Sequence, residues 1–203
     1  MSKVTIQGDA SGTGIFTIAS PNSNTDRTLV LPDEAGTVLT SAGVPASAMP
    51  AGSVIQVVQV VKTDTFSIVS TTMTDVTGLN VSITPSSTNS KILVIADVAM
   101  GPTASEAALG RLVRDTTPIY LGDAAGVRAR SIIQAYPSND YATVKSGGVF
   151  LDSPATTLEV TYKFQLASTA GGASYINRTA ADRNTSGYDA RSASSITLME
   201  IVG

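Results

Sequence analysis

Side chains that could hold a sugar are concentrated in two stretches, "QAYPSNDYA" (residues 134–142) and "ASYINRTAADRNTSGYDAR" (residues 173–191). Sugar rings present apolar faces and many hydroxyl groups, which suit tyrosine rings flanked by Asn, Asp and Arg. We expect both stretches to be loops that lie together at the distal tip of the molecule and contact a cell-surface glycan. The candidate contact residues are Tyr136, Tyr141, Tyr175, Asn177, Arg178, Arg183 and Tyr188. The alternative is that these are ordinary solvated loops whose tyrosines pack on the domain beneath them.

Catalytic chemistry has little support, because the side chains that usually perform it are absent. The chain contains no histidine, cysteine or tryptophan, which removes most hydrolytic triads, thiol nucleophiles and the commonest zinc ligands. Gly12-Thr13-Gly14 lacks the Lys and Ser/Thr that complete a phosphate loop. We therefore predict a protein that is not an enzyme and has no catalytic residues, metal or cofactor. A glycosidase, which needs two carboxylates roughly 5–10 Å apart, stays open as a less favoured alternative.

The composition also argues against nucleic-acid and membrane partners. Charged residues make up 14% of the chain and the formal net charge is −3, whereas binding to phosphate backbones needs clustered Lys and Arg. No apolar run approaches the roughly 18 residues that a membrane-spanning helix requires. The N-terminal stretch "MSKVTIQGDASG" lacks the layout of a signal peptide. We therefore expect synthesis in a cytoplasm, without membrane insertion or conventional secretion.

The pattern of the chain predicts an all-β fold. Runs of β-branched residues alternate with turn-forming segments, and even Ala104–Asp115, the nearest approach to a helix, is better described as a loop leading into a strand. Many short strands without intervening helices favour an antiparallel β-sandwich. The predicted strands are Val4–Gln7, Ile15–Ser20, Arg27–Leu31, Ser53–Lys62, Thr65–Ser70, Leu79–Thr84, Lys91–Met100, Arg111–Arg114, Pro118–Leu121, Ala129–Ala135, Val144–Leu151, Thr157–Ala167 and Ser194–Val202.

An uncharged segment rich in Ala, Ser, Pro and Gly, "SAGVPASAMPAGS" (residues 41–53), divides the chain. Its two prolines favour an extended conformation. The forty residues before it are too few to form a core alone, whereas the 150 or so residues after it suffice for one sandwich of jelly-roll size. We predict a β-rich N-terminal attachment segment (1–40), a linker (41–53) and a β-sandwich domain (54–203).

Two predicted strands are apolar on both faces. Residues 91–100 ("KILVIADVAM") place apolar side chains at even and odd positions, and residues 53–62 ("SVIQVVQVVK") do the same. A strand in a two-layer sandwich can bury only one face against the opposite sheet, so the second face needs other cover. That cover is either another copy of the chain or the domain's own loops, and the sequence favours neither.

Residues 12–40, "GTGIFTIASPNSNTDRTLVLPDEAGTVLT", closely resemble a segment common in tailed-bacteriophage fibre and virion structural proteins. Three later stretches are similar to the distal domains of such fibres and, in pattern, to the trimeric TNF/C1q-like jelly roll. They are "SSTNSKILVIADV" (86–98), "FLDSPATTLEVTYKFQLAS" (150–168) and "SSITLMEIVG" (194–203). The resemblance implies a homotrimer in the virion, bound to other virion proteins through its N-terminal segment.

A trimer would also give the N-terminal segment the core that a single copy lacks. Three copies could pool Leu29, Leu31, Val38 and Leu39 around a common axis. The alternative is an N-terminal hairpin packed on the main domain. The expected activity is host recognition and mechanical display. A purely structural virion component (neck or collar, baseplate or head-decorating fibre) that binds only other virion proteins is the main alternative, and a carbohydrate-active enzyme is less favoured.

Overall fold

The chain divides into two compact units, Met1–Leu39 and Thr40–Gly203. The computed structural model describes residues 10–15, 17, 22–26, 28, 44–185 and 187–203. The described residues of the first unit are exposed turns, bends and irregular segments. The first three predicted strands lie wholly or largely outside the described residues, and the four predicted trimer residues do so entirely. Those four are Leu29, Leu31, Val38 and Leu39.

The second unit is all-β, as predicted, and consists of two antiparallel sheets. Among its described residues the one helical element is a 3-10 turn at Ala46–Ala48. The strands are β1 (Val54–Lys62), β2 (Phe66–Ile68), β3 (Thr74–Ile83), β4 (Lys91–Met100), β5 (Ala108–Arg114), β6 (Thr117–Ile119), β7 (Ile133–Ala135), β8 (Val144–Asp152), β9 (Val160–Ser168), β10 (Ser174–Ile176) and β11 (Ser194–Ile201).

Sheet A contains six strands, and two of them continue the line of a longer strand, so that the sheet is four strands wide in the order β8–β4–β11–β1. β8 pairs with one edge of β4, and β11 pairs with the other edge, where the short β10 continues the ladder at Met100. β2 pairs with β10 and thereby extends the position of β1. Sheet B has the order β3–β9–β5, and both β6 and β7 pair with the remaining edge of β5.

The two sheets bury their inner faces in one apolar core. Alternate residues of β4 point inward, so that Ile92, Val94 and Val98 are 0% exposed while Leu93 and Ile95 between them are half-buried. Each large side chain buried in this way stabilises the fold by about 2 kcal/mol. Other large members of the core are Leu79, Leu112, Tyr162, Phe164, Leu166, Ile196 and Leu198. An apolar core between two antiparallel sheets is the arrangement of a β-sandwich.

One buried carboxylate lies beside this core. Asp152 accepts hydrogen bonds from Tyr162 Oη at 2.7 Å and from Arg114 Nη1 at 2.8 and 2.9 Å. These partners offset the cost of removing the charge from water. Burial, together with the hydrogen bond to Asp152, raises the pKa of Tyr162 far above its usual range. The phenol therefore remains a hydrogen-bond donor at neutral pH.

Differences from the predicted strands have local causes. β3 begins at Thr74, five residues before the predicted start at Leu79. The alternating pattern does not show residues 74–78 as a strand, because a bulge that contains Gly78 at φ +77° interrupts it there. β10 (Ser174–Ile176) was not predicted, since three residues are too few to show a period. The other predicted strands of this unit each overlap an observed strand.

A glycine in β5 leaves room for an aromatic ring of the core. Gly110 pairs with Leu166 of β9, and a β-carbon at Gly110 would lie 2.3 Å from Cζ of the buried Phe164. The ring therefore packs directly on the bare backbone of β5. Only glycine leaves room for the ring at this position, although glycine weakens a strand interior.

We predict that Gly110→Ala lowers the free energy of unfolding by about 1–3 kcal/mol, because the Phe164 ring must leave its rotamer or push the strands apart. Denaturant titration at a fixed protein concentration measures the loss. Gly122→Ala is the matched control, since nothing lies within 4 Å of its β-carbon position. The control should change stability by less than about 0.5 kcal/mol. Equal losses in the two variants would contradict the packing argument.

Candidate functional site

The two tyrosine-containing stretches lie at the end of sheet A where β4 stops and β8 begins, which we call the distal end. Met100, the last residue of β4, pairs there with Val144, the first residue of β8. At the opposite, proximal end, Gly52 N donates to Val202 O at 2.8 Å and Val202 N donates to Ser53 O at 2.9 Å. The ten residues of β4 separate the two ends by roughly 30 Å.

The structure brings the two stretches together at the distal end. Ala181 N donates to Asp140 O at 2.9 Å, which joins their backbones. The guanidinium of Arg183 lies 3.9 Å from the ring centroid of Tyr141 and 5.1 Å from that of Tyr188. Both distances are within the range of cation–π attraction. We call Tyr141, Arg183 and Tyr188 the Tyr–Arg cluster.

Asp189 fixes the arginine of the cluster. Its Oδ2 accepts from Arg183 Nε at 2.6 Å and from Arg183 backbone N at 3.1 Å, while Oδ1 accepts from Thr179 Oγ1 at 2.7 Å. The hydrogen bond from Arg183, reinforced by that from Thr179, lowers the pKa of Asp189 below its ordinary value. The same bond raises the pKa of Arg183. The pair is therefore ionised at neutral pH and the arginine is held in one orientation.

A second arginine is held in a similar way beside the cluster. The Arg178 guanidinium lies 3.8 Å from the ring centroid of Tyr175 and donates to Asp182 Oδ2 at 2.5 Å. The other oxygen of Asp182 is 2.7 Å from Arg191 Nη2. Tyr175 belongs to strand β10 rather than to the predicted loop. Arg178 and Tyr175 are both half-buried, so they contribute less exposed area to the distal surface than Tyr141 and Tyr188 do.

Asn177 has a structural role, which corrects the prediction that it contacts a receptor. The residue is 0% exposed. Its Nδ2 donates to Lys62 O at 2.8 Å and to Asp64 O at 2.9 Å, and its Oδ1 accepts from Ser194 Oγ at 2.6 Å. Its backbone N also donates to Ala99 O at 3.0 Å. No part of the side chain is left for a ligand at the surface.

Tyr136 is exposed but is not joined to the cluster. It follows the last residue of β7, and among the described residues no ring or cation–π contact links it to Tyr141, Arg183 or Tyr188. Tyr141 and Tyr188 are 55% and 64% exposed. Among the described residues, two cavities of about 330 Å³ lie at the proximal end, around Met49 and Ile55. The cluster is thus an open surface rather than an enclosed pocket.

Sequence reasoning missed Asp182 and Asp189, which bind the arginines, Thr179, which donates to Asp189, and Asp140, which binds the backbones of Ala104 and Ala181. Asp182 and Asp189 both have left-handed backbone conformations, with φ of +46° and +55°. Aspartate tolerates this conformation better than most residues. In the sequence, three Arg and two Asp residues alternate between positions 178 and 191. This pattern could have indicated ion pairs within the loop.

The outer face of sheet A is largely apolar. Two rows of paired residues cross it, Leu151–Leu93–Met199–Val57 and Val149–Ile95–Thr197–Gln59. The apolar side chains nearest the sheet edges are well exposed, at 56% for Val57, 59% for Val149 and 47% for Leu151. This apolar patch borders on the polar pair Gln59–Thr197, whose side chains hydrogen-bond at 2.6 Å. An exposed apolar patch of this kind is typical of an interaction surface.

The outer face of sheet B is polar by contrast. Gln165 accepts from Arg111 Nε at 2.7 Å and donates from Nε2 to Asp75 at 2.5 Å. Lys163 Nζ donates to the other oxygen of Asp75 at 2.7 Å, and this bond is the main reason that the pKa of Asp75 is lowered. Side chains that bond along the surface in this way are suited to contact with water.

Comparison with known proteins assigns the chain to no family: no protein-family model matches it, and a search of curated proteins found no match. In the described part of the chain, no helix is long and apolar enough to cross a membrane. The same residues contain no group of three or more Asp, Glu, His or Cys side chains placed to hold a metal ion.

We predict that Asn177→Ala lowers the free energy of unfolding by about 3 kcal/mol, because it leaves buried carbonyl and hydroxyl groups unpaired and puts alanine at a left-handed position. Denaturant titration at one protein concentration measures the change. Asn184→Ala, at an exposed position of the same loop, is the control and should change stability by less than about 0.5 kcal/mol. A loss below about 1 kcal/mol at Asn177 would show that its hydrogen bonds are dispensable.

Proposed function

We propose that this chain is a non-enzymatic virion fibre protein of a tailed bacteriophage. It assembles as a homotrimer, attaches to other virion proteins through its N-terminal segment and displays its β-sandwich for recognition of a glycan on the host surface. The resemblance of residues 12–40 to segments of phage fibre proteins supports the assignment to a virion. Geometry within Thr40–Gly203 supports the roles in assembly and recognition.

We infer that the sandwich has jelly-roll topology. Strands that share one position in a sheet can be counted together, namely β1 with β2, β6 with β7, and β10 with β11, which leaves eight positions. Numbered along the chain, they are ordered 1-8-3-6 in sheet A and 2-7-4-5 in sheet B. This interleaving is the strand order of an eight-stranded jelly roll with two Greek keys. It supports the likeness to TNF/C1q-like trimers.

The contrast between the two outer faces supports self-association through sheet A. Burying exposed Val57, Val149 and Leu151 against another copy gains about 25 cal/mol for each Å² of apolar area removed from water. The charged residues of this face are the Lys145–Asp97 pair at 2.7 Å, which carries no net charge, and Lys91 at its proximal end. Sheet B, whose outer side chains already bond to one another, remains toward solvent. Three equivalent subunits on one rigid body raise avidity for a repetitive cell surface.

The observation that carries the recognition role is the exposed Tyr–Arg cluster at the distal end. It lies roughly 30 Å from residues 44–53, through which the chain reaches the sandwich. Exposed tyrosine rings held beside an oriented arginine provide stacking surface and hydrogen-bond donors at low entropic cost. This combination suits a glycan better than an apolar partner.

A purely structural virion component is the second candidate. The apolar outer face of sheet A favours it if a different virion protein, rather than a second copy, covers that face. The two candidates differ in the mass of the isolated protein and in its adherence to cells.

We predict that the purified protein has three times the mass of one chain in light scattering, and that Val149→Lys shifts it to monomer. A lysine at Val149 would have to bury its charge in the subunit contact. Asn80→Lys adds the same charge at an exposed position on the outer face of sheet B and should leave the trimer intact. A monomeric wild-type protein, or a trimer that tolerates lysine at Val149, would exclude sheet A as the contact.

We predict that the double variant Tyr141→Ser/Tyr188→Ser adheres to host cells at least about tenfold more weakly than the wild type, because it loses the rings on which a sugar stacks. Binding of labelled trimer to cells, followed by flow cytometry, measures adherence. Tyr136→Ser removes an equally exposed ring outside the cluster and should change adherence less than about twofold. Unchanged adherence of the double variant would remove the cluster from recognition.

A further inference from the structure

The orientation of Arg183 leaves a defined set of donors free at the surface. Nε is occupied by Asp189, and in the described part of the chain neither Nη1 nor Nη2 makes a hydrogen bond. The side chain is 39% exposed. Because Asp189 fixes the guanidinium at its Nε edge, the remaining donors need little further ordering to bind a ligand.

Charges at the distal end are balanced in number but not in exposure. Arg178 and Arg191 pair with Asp182, and Arg183 pairs with Asp189. The third carboxylate, Asp140, accepts from the backbone N of Ala104 at 2.6 Å. The side chains of Asp189 and Asp182 are only 0% and 26% exposed, whereas those of Arg183 and Arg191 are 39% and 54% exposed. Arg183 and Arg191 therefore lie further toward solvent than the carboxylates that bind them, whereas the side chain of Arg178 is only 19% exposed. The ligand-facing side of the cluster is therefore positive.

We propose, on the basis of the recognition role proposed above, that the Tyr–Arg cluster binds an acidic saccharide. Its anionic group accepts hydrogen bonds from the Nη groups of Arg183, and its sugar ring stacks on the exposed ring of Tyr141 or Tyr188. A guanidinium offers a planar fork of donors that matches a carboxylate or a phosphate. Tyrosine supplies the apolar contact that a free inorganic anion would not use. The anionic group is the carboxylate of a uronic acid or the phosphate of a sugar phosphate.

The test titrates the full-length protein with four probes: glucuronate, its methyl ester, glucose 6-phosphate and glucose. NMR shifts of the Arg183 Nε–H group and of the Tyr141 and Tyr188 rings report binding at the cluster. We expect at least one anionic probe to bind about tenfold more tightly than the ester and glucose. Preference for glucuronate identifies the carboxylate, and preference for glucose 6-phosphate identifies the phosphate. Equal affinities for all four probes, or no shift at about 50 mM, would overturn the proposal.

Three variants distinguish the contribution of the planar guanidinium of Arg183 from that of positive charge alone. Arg183→Gln should abolish the preference for the anion, and Arg183→Lys, which keeps the charge but not the planar fork, should lose most of it. Arg128→Gln removes the same charge at an exposed position outside the cluster and should alter affinity less than about twofold. Anion affinity that persists in Arg183→Gln would exclude this arginine as the anion site.

Adherence to host cells distinguishes this proposal from the proposed function on which it rests. Competition by the anionic probe, but not by glucose, supports both. If the protein binds the anionic probe yet does not adhere to host cells, host recognition fails while the saccharide site stands. If it adheres to cells but shows no preference for an anion, the acidic specificity fails while host recognition stands.

Discussion

The distal end of the sandwich depends on the buried amide of Asn177. Its side chain binds the backbone carbonyls of Lys62 and Asp64 just where β1 ends, and it accepts from Ser194 at the start of β11. Ser194 Oγ in turn accepts from Ala99 N of β4 at 3.0 Å. Asn177 thus connects β1, β4 and β11 of sheet A at the point where the chain leaves β10 (Ser174–Ile176). Because Asn177 fixes the start of the segment that carries Arg178 and Arg183, it also determines where these arginines lie.

The two proposed roles use physically different surfaces that do not compete. Assembly uses the outer face of sheet A, where paired apolar side chains gain by leaving water. Recognition uses the loops beyond the strand ends, where ion pairs hold side chains in water at defined positions. Gly101 lets the loop pack against the strand end, because a β-carbon at this position would lie 2.2 Å from the Arg178 carbonyl oxygen. The loop is thereby drawn tightly onto the end of β4.

Long, regular strands could be predicted from the sequence, whereas the details of the site could not. β4 (Lys91–Met100) was predicted at both ends, because ten residues of apolar character leave little ambiguity. The valines of β1 divide as their alternation requires, with Val58 and Val60 against the core and Val57 exposed. The burial of Asn177 was not predictable, since its partners lie more than a hundred residues away at Lys62 and Asp64. Composition indicated a cluster of tyrosine and arginine, but only the fold shows which of them meet.

The position of β11 has a consequence for how the chain acquires its structure. This strand, the last in the sequence, lies between β4 and β1 and completes the ladder on both. During synthesis, sheet A cannot close until residue 201 has left the ribosome, and until then β1 and β4 each present an unpaired apolar edge. Such edges are prone to pair with neighbouring chains. Nascent copies that are translated from one message lie close together while those edges are open. Folding of each chain then competes with strand pairing between neighbouring chains.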